Sequence, residues 1–164
     1  MVKIGLLSDT HSYLDQAVYK YFDQCDEIWH AGDIGNPNLI DEIKKFKPVR
    51  AVYGNIDGTE IRKEFPEIQS FTIEELKVVI LHIGGYPPRY NSFSKPILIR
   101  HRPGLFICGH SHIAKAMYDQ NLKLLHLNPG AAGKEGFHQV RTLMRFGVNG
   151  NKIENLEIIE LAKR

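Results

Sequence analysis

Apolar residues along this chain fall into short runs broken by glycine, asparagine and aspartate, and the runs alternate with stretches of helical period. Residues 2–8 form an apolar run bounded by polar positions, which predicts a buried strand. Ser12 and Asp15 follow with capping-box spacing, and Leu14, Val18, Tyr21, Phe22 and Cys25 recur behind them at helical intervals. A second strand is predicted over 27–31, ending at Gly32-Asp33. Asn36-Pro37 then supplies an N-cap and a proline at the first helical position, and Leu39, Ile40, Ile43 and Phe46 make the apolar stripe that Pro48 ends. Residues 49–53 predict a third strand, closing at Gly54-Asn55.

Strand–helix–strand–helix–strand order implies parallel pairing through right-handed crossovers. The second half has a different rhythm. Residues 68–73 and 77–83 predict a hairpin through 74–76, and 96–102 a short helix behind a Ser94 cap. Five further strands are predicted over 105–108, 114–119, 123–127, 139–148 and 153–161. With no repeat, low-complexity tract or linker-like shift, the expectation is one domain over 1–164, an α/β mixed-sheet sandwich with helices outside.

Composition narrows the class without choosing a function. The 164 residues can bury one substantial core, and 43% hydrophobic with 24% charged content is ordinary for a globular protein. A net charge of +2 argues for neither nucleic acid nor membrane, and no basic, aromatic-interleaved stripe suggests duplex binding. Cys25 and Cys108 are far apart and form no CxxC, which excludes a disulfide framework and points to a reducing, cytoplasmic setting. The N-terminal apolar run is too short for a signal peptide, and nothing approaches the roughly 20 apolar residues of a membrane span. A homo-oligomer is compatible with all of this.

The chemistry lies in where polar residues stand. Asp9 with His11, Asp33, Asn55, His82, and His110 with His112 each directly follow an apolar strand. In α/β sheets ligands bind beyond the carboxyl ends of strands, so five strand ends are predicted to deliver these side chains to one rim. Imidazole suits borderline transition metals, and carboxylate and amide oxygens suit harder ions. A structural zinc needs four ligands, often with cysteine. Seven candidates without cysteine fit two divalent ions better, and a pair roughly 3.5–4 Å apart can clamp a phosphoryl group. A bridging ligand must be anionic with two oxygens, and Asp33 is the best candidate.

In order, Asp9-Thr10-His11, Gly32-Asp33, Gly54-Asn55-Ile56-Asp57, His82, Gly109-His110-Ser111-His112 and Asn128-Pro129-Gly130 resemble the motifs of the calcineurin-like metallophosphoesterase superfamily. The spacing looks like its small prokaryotic phosphodiesterase branch. That resemblance implies a four-layer sandwich of two mixed β-sheets flanked by helices. It implies one metal on Asp9, His11 and His112, another on Asn55, His82 and His110, and Asp33 between them. Manganese is the first expectation, with Ni, Fe or Zn also compatible. It further implies attack on a small-molecule phosphate ester by a metal-bridging hydroxide, with Asp33, Asn55 and Asp57 as candidate catalytic residues.

The chain departs from the pattern at Ile56, where many members carry a histidine that protonates the leaving oxygen. Proton transfer by a placed side chain is worth roughly 10²–10⁴-fold. A slower enzyme favouring aryl or nucleotidyl leaving groups is therefore expected, and Asp57 loses its usual partner. Ala131 stands where a serine is common after Asn128-Pro129-Gly130. His30 is predicted to be buried behind the site, and His101, His126 and His138 to be non-ligands. Arg89, Arg100, Arg102 and Lys134 are read as solvated. Two alternatives stand beside the phosphodiesterase: a non-catalytic scaffold like the retromer subunit of this superfamily, which tends to lose ligands, and a nuclease.

Overall fold

The computed structural model describes residues 1–164. In the first half, β1 (Val2–Leu7), β2 (Glu27–His30) and β3 (Val49–Ala51) alternate with α1 (Ala17–Tyr21) and α2 (Pro37–Phe46), and α3 (Thr59–Glu64) follows. The second half runs β4 (Ile68–Ile73), β5 (Leu76–Leu81), β6 (Gly85–Tyr86), β7 (Arg89–Tyr90), α4 (Ser94–His101), β8 (Leu105–Ile107), β9 (Ala114–Asp119), β10 (Leu124–Pro129), β11 (Val140–Asn149) and β12 (Lys152–Lys163).

Two five-stranded sheets result, ordered β12-β11-β1-β2-β3 and β4-β5-β8-β10-β9. Both are mixed. β1, β2 and β3 run parallel with β11 antiparallel beside β1, while β5, β8 and β10 run parallel between antiparallel edges. Period-two alternation sorts each strand's side chains. Ile4 and Leu6 face the inter-sheet core with Trp29, Val78, Ile80 and Ile107. Leu7 and Ile28 turn the other way, onto Val18, Ile40, Ile43 and Ile61 of the first three helices. On the far side, Val79, Leu81 and Phe106 pack under Leu98 of α4. The fold is therefore α/β in four layers: helices, sheet, sheet, helix. Gly5 makes the first interface possible, since a Cβ there would lie 2.6 Å from the Phe22 ring.

Two local predictions are corrected. Ser12 and Asp15 do not form a capping box: α1 starts at Ala17 behind Gln16, which makes no side-chain cap. Ser12 Oγ instead accepts from the Asn36 N–H at 2.8 Å, and Asp15 pairs with Arg141. Ser94 lies inside α4, where its hydroxyl donates to Gly84 O, and Asn91 Oδ1 takes the two free amides at the helix start. The structure adds α3 and the β6–β7 hairpin, which the pattern did not reveal. Only Ile61 of α3 is buried, so that helix has no stripe to read.

Candidate metal centre

The loops after β1, β2 and β3 of one sheet meet those after β5 and β8 of the other. They carry Asp9 and His11, Asp33, Asn55, His82, and His110 with His112 to one place, as the strand-end pattern predicted. Potential ligand atoms form two groups, Asp9–His11–His112 and Asp33–His82–His110, each with all atoms within 4.8 Å of one another. Asp33 Oδ2 lies 3.1 Å from His82 Nε2 and 3.4 Å from His11 Nε2, so it is shared between the groups. Asn55 Oδ1 lies 3.1 Å from His110 Nδ1. His112 Nε2 stands 3.1 Å from Asp9 Oδ1.

Backbone strain marks the same residues. Asp9, His11, Asp33, His110 and His112 all have positive φ, between 45° and 71°, a region uncommon for such side chains and typical of functional loops. Fixed partners hold the carboxylates. Asp9 Oδ2 accepts from Ser8 Oγ at 2.6 Å and from the His110 N–H at 3.0 Å. Asp33 Oδ1 accepts from the Ile56 N–H at 3.1 Å. His82 Nδ1 donates to Ala31 O at 2.7 Å, which turns its Nε2 lone pair toward Asp33.

Burial would push the Asp9 carboxyl up, but the facing imidazoles of His11 and His112, the His82 charge and the Ser8 hydroxyl outweigh it and hold Asp9 well below the usual carboxylate range. Burial is likewise outweighed at Asp33, lowered mainly by His82. His11 is raised, chiefly by its contact with Asp9. Burial opposes the charged form of His82, yet Asp33 and Asp9 raise it. His110 is lowered by burial and by neighbouring His82. Positive charge is wanted in the middle of the cluster, and the buried atoms Asp9 Oδ1, His11 Nε2 and His82 Nε2 have no hydrogen-bond partner. Such pairs of acceptors need a proton or a metal cation between them. The separations near 3.1 Å fit two ligand atoms side by side on one ion with bonds of about 2.1 Å. The donor set fits divalent cations.

Other residues take different places. Asp57 lies outside both groups and its carboxylate is committed to backbone: Oδ1 accepts from Gly35 N–H, and Oδ2 from Gly54 and Ile34 N–H. It brackets the loops carrying Asp33 and Asn55, and both of its oxygens are engaged in doing so. Ile56 is 45% exposed beside the centre and offers only its backbone N–H. His30 is fully buried behind the centre, hydrogen-bonded to Thr10 Oγ1 and the Gly32 N–H, and burial lowers it to about 4. His101 contacts Ser70 Oγ, and His126 donates to Phe106 O. His138 is no member of either group but touches His112. Lys134 lies over the Tyr13 ring, 4.2 Å from its centroid. Sequence reasoning missed Arg62, whose Nε donates to Asp57 O and whose guanidinium stacks on Tyr53 beside Asn55.

A family model described as the calcineurin-like phosphoesterase superfamily domain matches residues 2–151. The chain belongs to that superfamily. It is similar to a protein of Methanothermobacter thermautotrophicus named "Probable metallophosphoesterase", with 31% identity over 133 residues, 78% of this chain and 76% of that protein. Among solved structures it resembles one described as a novel archaeal phosphodiesterase, with TM-score 0.79, 23% identity, and coverage of 98% of this chain and 100% of that one. It also resembles wild-type Vps29 from Entamoeba histolytica complexed with Zn²⁺, with TM-score 0.72, 15% identity, and coverage of 98% and 99%. These structural likenesses carry the shared fold. Within this superfamily the chain is a metallophosphoesterase, and no helix is long and apolar enough to cross a membrane.

Proposed function

We propose that this protein is a cytoplasmic phosphodiesterase that works with two divalent cations. Asp9, His11 and His112 hold one and Asn55, His82 and His110 the other, with Asp33 between them. The carrying observation is the position of Asp33 Oδ2, within 3.4 Å of one imidazole from each group. Bound there, the cations supply Lewis acidity and a water acidic enough to act near neutral pH. The protein's own residues do the rest. Asn55 orients a phosphoryl oxygen through its exposed amide, and Asp57 fixes the loops carrying Asn55 and Asp33. Ile56 gives the leaving oxygen no proton, so good leaving groups, aryl or nucleotidyl, are favoured. Manganese is the first expectation, followed by Ni, Fe or Zn.

Two hollows support a diester as the small-molecule substrate. One of about 340 Å³ includes Asn55, His82, Tyr53, Arg62 and Phe93. The other, of about 280 Å³, includes His110, Ser111, Tyr86 and Lys115. They share Ile83 and Asn91, and one is lined by His82 and the other by His110, which supports room for two substituents on a phosphate. The presence of every ligand-competent side chain speaks against the scaffold reading, and the lack of a basic stripe against a nuclease.

The test is to strip metal, restore Mn²⁺, Ni²⁺, Zn²⁺ or Mg²⁺ separately, and compare a bis-aryl phosphate with an aryl monophosphate. Mn²⁺ is expected to restore hydrolysis best, with the diester faster and Asp33→Ala inactive. Faster monoester cleavage, or activity surviving in Asp33→Ala, overturns the reading.

A further inference from the structure

We infer that His138, on the loop between β10 and β11, is a positioning residue that holds His112 in the one tautomer able to bind a cation. The inference rests on the dinuclear reading above but uses residues outside the ligand set. It follows from a chain of three groups. His138 Nε2 lies 2.7 Å from Gly133 O. A carbonyl only accepts, so Nε2 carries the proton and donates. A neutral imidazole has one such proton, which leaves Nδ1 of His138 as an acceptor. That Nδ1 lies 3.1 Å from His112 Nδ1, so His112 must be the donor there. Its Nε2 is then bare, and Nε2 is the atom facing Asp9 Oδ1 at 3.1 Å.

The packing matches the hydrogen bonds. The two rings meet edge-on, with centroids 4.9 Å apart and planes at 76°. Gly136, at φ 126°, passes so close that a Cβ would overlap the His112 ring. The loop therefore clamps His112 with backbone at Gly136 and selects its proton with His138. His82 is held differently. Its Nδ1 donates straight to Ala31 O, a backbone group that no side-chain substitution removes. The His112 tautomer depends on the identity of residue 138, whereas the His82 tautomer is set by backbone.

The test compares native protein with His138→Leu and His138→Gln. Leucine removes the acceptor. Glutamine keeps one, since its amide oxygen can accept from His112 while its NH₂ donates to Gly133 O. Calorimetric titration of the metal-stripped full chain with Mn²⁺ should show His138→Leu weakening one of two binding events about 10–100-fold, the range for losing a hydrogen bond behind a ligand. The other event should stay unchanged, and His138→Gln should remain within about 5-fold of native on both. Long-range ¹H–¹⁵N NMR of metal-free native protein should find His112 protonated on Nδ1, and in His138→Leu a shift toward Nε2. Native-like binding by His138→Leu, equal losses in the two variants, or a native His112 proton on Nε2 each overturns the proposal. Native protein that takes up no Mn²⁺ counts against the dinuclear reading instead, because the tautomer still reports on His138.

Discussion

Asp33 Oδ2 stands 3.1 Å from His82 Nε2, so a carboxylate at the end of β2 in one sheet meets an imidazole at the end of β5 in the other. Asp33→Asn keeps the shape and removes the charge, and asparagine tolerates the native φ of 57°. The expected outcome is a folded protein with at least about 100-fold less hydrolysis, because the anionic bridge of a two-cation site is gone. Bound metal should fall from two ions toward one. Elemental analysis and steady-state rates on the same preparation check both.

Gly109→Ala should damage the other carboxylate. A Cβ at 109 would overlap Ser8 Oγ and lie 2.7 Å from Asp9 Oδ2, within the hydrogen-bonded set that holds Asp9. Overpacking of this kind costs about 1–3 kcal/mol. A lower urea midpoint with weakened Mn²⁺ uptake is expected, and unchanged values for both would count against Asp9 as a tightly held ligand.

Much of this centre was legible in the sequence because its residues follow strands whose apolar runs are unmistakable. Asp9, Asp33, Asn55, His82, His110 and His112 needed only the rule that parallel strands deliver ligands at their carboxyl ends. Spacing offered Asp57 as a catalytic candidate but could not show the three amide donors that hold its carboxylate. His138 and Arg62 left no signal. They act through contacts 26 and 5 residues away along the chain, with Gly133 O as a further partner of His138. Ser12 mimicked a cap because a hydroxyl that receives a distant amide looks the same in one dimension as one that caps its own helix.

Asp57→Ala separates loop bracing from chemistry. It leaves three buried or part-buried amides without their acceptor, and each unsatisfied buried group is worth roughly 1–3 kcal/mol. Stability should fall by about 3 kcal/mol or more, read from the denaturant midpoint at constant slope. Activity per metal-loaded, folded molecule should fall much less than in Asp33→Asn.

Chelation should lower the melting temperature. Cations that bind only the folded state stabilise it by about 2.7 kcal/mol when present at 100 times their dissociation constant. For a chain of this size that corresponds to roughly 5–10 °C. A thermal scan in EDTA, then with Mn²⁺ restored, measures it, and identical midpoints would contradict a cation-filled centre.

Acid sensitivity should include a contribution from His126, buried at the back of the second sheet. Burial lowers it from 6.5 to about 4. A histidine whose folded pKa is depressed contributes stability that is fully present above about 6.5 and is lost as pH falls toward 4, where the proton is finally bound. The loss amounts to at most about 3 kcal/mol. His126→Phe should flatten the stability profile between pH 6.5 and 4, measured in EDTA to exclude metal loss.

Ligands drawn from both halves of the sandwich would give the proposed cation pair a mechanical role. Asp9, His11, Asp33 and Asn55 ride on one slab and His82, His110 and His112 on the other, so ions held as proposed would rivet the slabs together at one end. A slip of an ångström along the interface around Trp29, Phe146 and Ile80 would pull the seven side chains out of alignment without touching any of them. Substitutions deep between the slabs can therefore govern how well this chain grips its ions.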